Sequence, residues 1–152
     1  MTTNILRFAL LLILSLIVGT MFGIWIGYDP ASLSATAYVE QQQNAIRALN
    51  TLLPVLGALC ILLTAVLAFL SKGDTRSRSL LVAAAICLIG VAFVTRFENQ
   101  PINAVVMTWS PQAPPANWMQ LRDAWWHWHI VRSVTGIAGL SLVLLSVLGS
   151  RR

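Results

Sequence analysis

The stretch WMQLRDAWWHWHIVR, residues 118–132, decides how this chain folds. Wound as an α-helix at about 100° per residue, it puts Trp118, Arg122, Trp125, His129 and Arg132, followed by Gly136, on one stripe about 80° wide. That stripe is polar and aromatic, whereas Ser133 to Leu148 is almost wholly apolar. One helix therefore runs from a tryptophan-rich polar mouth into hydrocarbon or protein core. An Arg and a His at such a boundary call for partners.

Composition settles the surroundings. The chain has 152 residues, 57% hydrophobic and 10% charged, where a soluble domain carries about a quarter charged residues. It is a membrane protein. The net charge of +5 comes from dispersed residues, with no basic patch of the kind nucleic acid requires, so no nucleic-acid partner is expected. Cys60 and Cys87 each lie inside an apolar run without CxxC spacing. They read as small hydrophobes rather than as a redox or metal pair.

The pattern predicts an all-α, integral membrane, four-helix up-and-down bundle formed by a single domain, residues 1–152, with spans at about 5–28, 36–70, 79–97 and 117–148. No A-x-A cleavage site follows the first run, so it is expected to be a retained span. Gly19, Gly23 and Gly27 recur on it every four residues, an edge for close approach of a neighbouring helix or of a second copy of the chain. After the Asp29-Pro30 turn, Ser32 or Ser34 can cap the second helix. Its wet upper half places Glu40, Gln43, Arg47, Asn50 and Pro54 on one face above the apolar 52–70, which is either a site wall or a solvated face. Pro54 is expected to kink that helix. The third span ends in TRFENQPIN, crowding Arg96, Glu98, Asn99 and Asn103 around Pro101, and Asn117 is the expected N-cap of the fourth. Helices two and four are thus expected to extend beyond the bilayer on the outer side.

An even number of spans puts both termini beside the middle turn. That side collects Arg7, Lys72, Arg76, Arg78, Arg151 and Arg152, so both termini are expected in the cytoplasm and the polar mouth outside, in the inner membrane of a bacterium. A belt of interfacial tryptophans accounts for some of the aromatic residues at the mouth. It does not account for Trp118 and Trp125 sharing a face with Arg122 and His129.

Gathering so many polar groups at a membrane boundary is costly unless they pair, as Arg132 with Glu98 or Arg47 with Glu40, or bind a ligand. His129 is the stripe residue able to exchange a proton near neutral pH. His127 lies about 200° from it around the helix, so the two cannot share a metal, and no metal site is expected. No Ser or Cys nucleophile accompanies His129 for a triad.

The order Asn99-x-Pro101-x-Asn103, then Trp109, then W-x3-R-x2-W-x3-H-x2-R at Trp118, Arg122, Trp125, His129 and Arg132 resembles the anthrone oxygenase-like family of small four-span membrane proteins, much of it otherwise filed as a domain of unknown function. The resemblance implies an oxidoreductase that converts an anthrone or similar polycyclic phenol to a quinone with dioxygen and no cofactor. On that reading His129 would take a proton from the activated carbon and Arg122, Arg132 and Asn103 would stabilise the enolate. Trp109, Trp118 and Trp125 would stack on the rings, with Gln43, Arg47, Asn50, Glu98 and Asn99 lining the site. The residues alone also fit a non-catalytic binder of a lipid, quinone or other hydrophobic metabolite, or a packing subunit of a membrane complex.

Overall fold

The computed structural model describes residues 2–149. Its helices are α1 (Thr2–Gly27), α2 (Ala35–Leu49), α3 (Leu52–Leu70), α4 (Thr75–Val94), α5 (Gln100–Val106) and α6 (Trp118–Leu148). A 3-10 turn at Pro30–Ser32 follows α1, and a π-helical turn at Thr95–Asn99 joins α4 to α5. Arg151 and Arg152, two of the basic residues behind the expected orientation, lie outside the described residues.

Four helical segments, Thr3–Ser32, Leu52–Leu70, Thr75–Val106 and Trp118–Leu148, are long and apolar enough to cross a membrane. Their outward faces carry Phe8, Leu62, Phe69, Ile86 and Phe93, each more than half exposed. An apolar girdle of that extent belongs in lipid, and the fold is a membrane helical bundle. α1 packs on α3 and α6, and α4 on α3 and α6, which closes a ring. Its core is Leu10, Leu14, Ile17, Val18, Met21, Cys60, Leu67, Leu81, Ala84, Leu88 and Val143.

On α6 the buried residues are Arg122, Trp125, His129, Ser133, Gly136, Gly139, Val143 and Ser146, a run at three- and four-residue spacing that continues the stripe read at residues 118–132. Close approach is provided here and not on α1. A Cβ on Gly139 would stand 3.2 Å from Leu88 Cδ2 and 3.3 Å from Cys87 Cβ, and one on Gly136 would stand 3.2 Å from Met21 Cε. Around Gly19, Gly23 and Gly27 no packing atom of the described residues lies within 4 Å of that position, so no described helix uses that edge. Hydroxyls within the shafts bond to backbone, as Thr64 Oγ1 donates to the Cys60 carbonyl at 2.7 Å and Ser133 Oγ to the His129 carbonyl at 2.7 Å.

Three local expectations change. The wet and apolar halves of the second segment are separate helices, parted at Asn50–Thr51 rather than kinked at Pro54. Pro54 is still the cause: it has no N–H for the Asn50 carbonyl four residues back, and Gln100 Nε2 donates to that carbonyl instead, at 3.4 Å. The third span does not stop at Phe97 but runs through the π turn, whose Gln100 N–H reaches five residues back to the Thr95 carbonyl, and on to Val106. Asn117 stands at the N-cap position of α6 but makes no side-chain cap bond. Ser34, in contrast, caps α2 by accepting from the Ala37 N–H, and Asp74 caps α4 by accepting from Ser77.

Candidate functional site

Inside the ring, below α2, lies a cavity of about 590 Å³, within the roughly 300–1,000 Å³ typical of small-molecule sites. Its deep wall is apolar, with Leu14, Ile17, Val18, Cys60, Ile61 and Leu88. Its upper wall is polar, with Tyr28, Gln42, Asn50, Asn103, Trp125 and Arg132. The shape of the chemistry is therefore amphipathic: a polar head above and a flat or bulky apolar body below.

The upper wall is organised by a directed series of hydrogen bonds. Tyr28 O–H donates to Gln42 Oε1 at 3.4 Å, Gln42 Nε2 to Asn103 Oδ1 at 3.5 Å, and Asn103 Nδ2 to Asn50 Oδ1 at 2.8 Å. The series ties α1, α2, α5 and the α2–α3 junction together across one face of the cavity. Asn99, in the π turn, is fully buried and donates through Nδ2 to the Trp125 carbonyl at 3.0 Å, fastening α6 to the turn.

Arg132 and His129 form the other face. Arg132 Nη2 lies 2.9 Å and Nε 3.3 Å from His129 Nδ1, and the guanidinium carbon stands 5.7 Å over the Trp125 ring. His129 is fully buried and does not itself line the cavity. Its Nε2 is 3.1 Å from the Met21 carbonyl oxygen, and its ring stacks on Trp125 and Trp126 at centroid distances of 5.1 and 5.6 Å. Among the described residues the ion pairing expected of the carboxylates does not form: the ion pair present is Arg122 with Asp123 at 2.8 Å, and neither Arg132 with Glu98 nor Arg47 with Glu40 is joined.

The other expected site residues divide. Arg122 is buried outside the cavity in a second cluster, 5.0 Å over the Trp118 ring, which itself lies 5.7 Å from Tyr38. Burial raises the Tyr38 phenol above its ordinary range. Gln43 is buried, but its Nε2 serves the Val106 and Trp109 carbonyls, at 3.0 and 2.9 Å, and so ties down the loop after α5. Trp109 contributes that carbonyl and does not line the cavity. Glu98 is half-buried, and Glu40 and Arg47 are exposed, the solvated face of α2. The inward face of α2 is instead Tyr38, Val39, Gln42, Gln43 and Ile46.

Gln42, Tyr28 and Gln100 were not singled out from sequence. Gln42 sits in a run of three glutamines that a helical wheel centred on Gln43 and Arg47 divides wrongly, and Tyr28 gave only the signal of a polar-tipped residue at a helix end. For metal chemistry, no three of His, Cys, Asp and Glu gather among the described residues, and His127 is exposed.

Neither the curated proteins nor the solved structures returned a match. The family model described as anthrone oxygenase matches residues 43–142, a span that includes α3 to α5, the polar upper wall from Asn50 to Arg132, and most of α6. With about two thirds of its length so matched, the chain belongs to the anthrone oxygenase family.

Proposed function

We propose that the protein is a membrane-embedded oxygenase that oxidises an anthrone or similar polycyclic phenol with dioxygen, without a metal or flavin. The observation that supports this best is Arg132. Arg132 lines a largely apolar cavity, and its guanidinium's hydrogen-bond partner is an imidazole nitrogen, with no carboxylate in ion-pair range among the described residues. Five N–H donors on a cation so placed are costly unless a ligand brings negative charge to them. An anthrone does so. Loss of a proton from its central CH2, to water at the polar mouth, leaves an enolate with its charge on oxygen.

In this reading the enolate oxygen rests on Arg132 and the fused rings extend into the apolar wall beside Trp125. The amides of Asn103, Asn50 and Gln42 stand where further hydroxyls of the substrate would meet them. The electron-rich central carbon passes one electron to dioxygen, and the radical pair joins as a carbon-bound peroxide, which takes up the proton. Loss of the second C–H hydrogen with cleavage of the O–O bond gives the carbonyl and water. The balance is CH2 plus O2 to C=O plus H2O, with no outside reductant.

The orientation that goes with this reading has both termini in the cytoplasm of a bacterium and the polar mouth outside, from the basic turn at Lys72, Arg76 and Arg78. The test is dioxygen uptake and quinone formation by the purified protein above the spontaneous rate. Arg132→Ala is expected to lower turnover about 100-fold or more, the usual scale for one oxyanion donor. Binding of an anthrone with no oxygen uptake would make the protein a binder rather than an enzyme. Absence of both would end the reading.

A further inference from the structure

His129 is held unlike any group that lines the cavity. Its ring is fully buried against two tryptophan faces, and both nitrogens are engaged, Nε2 by the Met21 carbonyl at 3.1 Å and Nδ1 by Arg132 at 2.9 Å. A carbonyl only accepts and a guanidinium only donates. One arrangement satisfies both: Nε2 carries the hydrogen and Nδ1 presents its lone pair to Arg132. The lone pair that a base would use is therefore turned toward Arg132, and it is Arg132, not His129, that reaches the cavity wall.

We propose that His129 is a positioning residue that acts through Arg132, a role that rests on the reading of the cavity as the seat of an anionic aromatic ligand. An arginine carries a long flexible stem whose rotamer freedom must be given up to aim its fork. Nδ1 supplies the acceptor that fixes two of the guanidinium's N–H groups, and the remaining donors are left for the ligand. The Met21 carbonyl locks the tautomer from behind, as the outer partner of a metal-bound histidine does for a metal. Trp125 and Trp126 fix the ring plane. Besides its apolar wall residues, α1 thus contributes a backbone atom to the site, which no side-chain pattern records.

The experiment uses the full chain, purified in detergent, as wild type, His129→Ala and His129→Gln. Glutamine can accept from Arg132 through Oε1 and donate to the Met21 carbonyl through Nε2, but it cannot take up a proton. The probe is 2-hydroxyanthraquinone, a three-ring acidic phenol with no CH2 to oxidise, whose phenolate absorbs at longer wavelength than its phenol. Wild type is expected to bind it as phenolate, His129→Ala to lose about tenfold or more in affinity together with the phenolate band, and His129→Gln to recover most of both. Anthrone turnover should follow the same order. If both variants bind the phenolate like wild type and both lose turnover, His129 is the base and the proposal falls.

A second measurement needs no ligand and no variant at His129. Nitrogen-15 NMR of histidine-labelled protein, in a His127→Gln background, should show Nδ1 of His129 unprotonated, with a resonance that moves in Arg132→Lys. A protonated Nδ1 overturns the proposal. If wild type neither binds the probe nor oxidises an anthrone while Nδ1 still reports Arg132, the ligand reading fails and the positioning role stands.

Discussion

Three buried polar atoms have no hydrogen-bond partner in the described structure: Tyr38 Oη, Asn99 Oδ1 and Trp125 Nε1. An unmet hydroxyl is a destabilising one, so Tyr38→Phe is expected to leave the melting temperature unchanged or raise it, and a fall of several degrees would show a partner that the fold conceals. The same residue gives a pH dependence. Burial raises its phenol above the unfolded value, which is about 10. Below that value the neutral phenol is present in both states and stability is unaffected. As pH rises past it the unfolded chain ionises first, so stability falls. Tyr38→Phe should flatten the loss of thermal stability above about pH 10. At this scale the sequence was legible where a residue's chemistry is scarce. Arg132 and His129 stood out as ionisable groups at an apolar boundary, and they do sit together, one at the cavity wall and one behind it. Their mutual hydrogen bond was not legible, because it depends on where the Met21 carbonyl of another helix holds the ring.

Among the helices, α6 could be read almost entirely, because its burial follows one unbroken period from Arg122 to Ser146. α2 could not. Its polar residues were used to centre the wheel, but the buried face also holds Tyr38, Val39 and Ile46, and that turns Arg47 outward. The break before α3 and the π turn were not legible, because each rests on which group meets a backbone carbonyl, Gln100 Nε2 at that of Asn50 and the Gln100 N–H at that of Thr95, and side-chain periodicity does not record that. The helix packing also separates two glycines that look alike in sequence. Gly139 sits in the seam with α4, so Gly139→Leu should overpack it at a typical cost of about 1–3 kcal/mol or more, seen as a lower melting temperature. Gly57 lines the cavity from α3 with no atom within 4 Å of a Cβ position. Gly57→Leu should keep the melting temperature, since a helical glycine is disfavoured by about 1 kcal/mol against alanine, yet exclude a three-ring ligand in a binding assay. Asn103→Leu breaks the hydrogen-bonded series between α2 and α5, leaving Asn50 Oδ1 and Gln42 Nε2 unmet. That variant should melt earlier, and a melt equal to wild type would show that α2 is held by its apolar contacts alone.

Across the whole molecule, the basic turn between α3 and α4 and the aromatic mouth lie at opposite ends of the ring, and that polarity predicts topology. In a chain lacking Cys60 and Cys87, a thiol reagent that cannot cross membranes should label Gln112→Cys in intact cells and Thr75→Cys after permeabilisation, and the reverse pattern would invert the orientation. The span from Thr75 to Val106 also has a consequence for chain length. A plain α-helix turns once in about 3.6 residues, whereas the π turn at Thr95–Asn99 accommodates one residue more. The turn absorbs that surplus, so that α4 keeps its seam with α6 while Asn103 still meets Asn50. Phe97, exposed within the turn, is therefore the position at which the protein has slack. Deleting Phe97 would turn the π turn into plain α-helix and keep both faces in register, whereas a deletion of one residue anywhere between Leu81 and Val91 would swing the seam by about 100°.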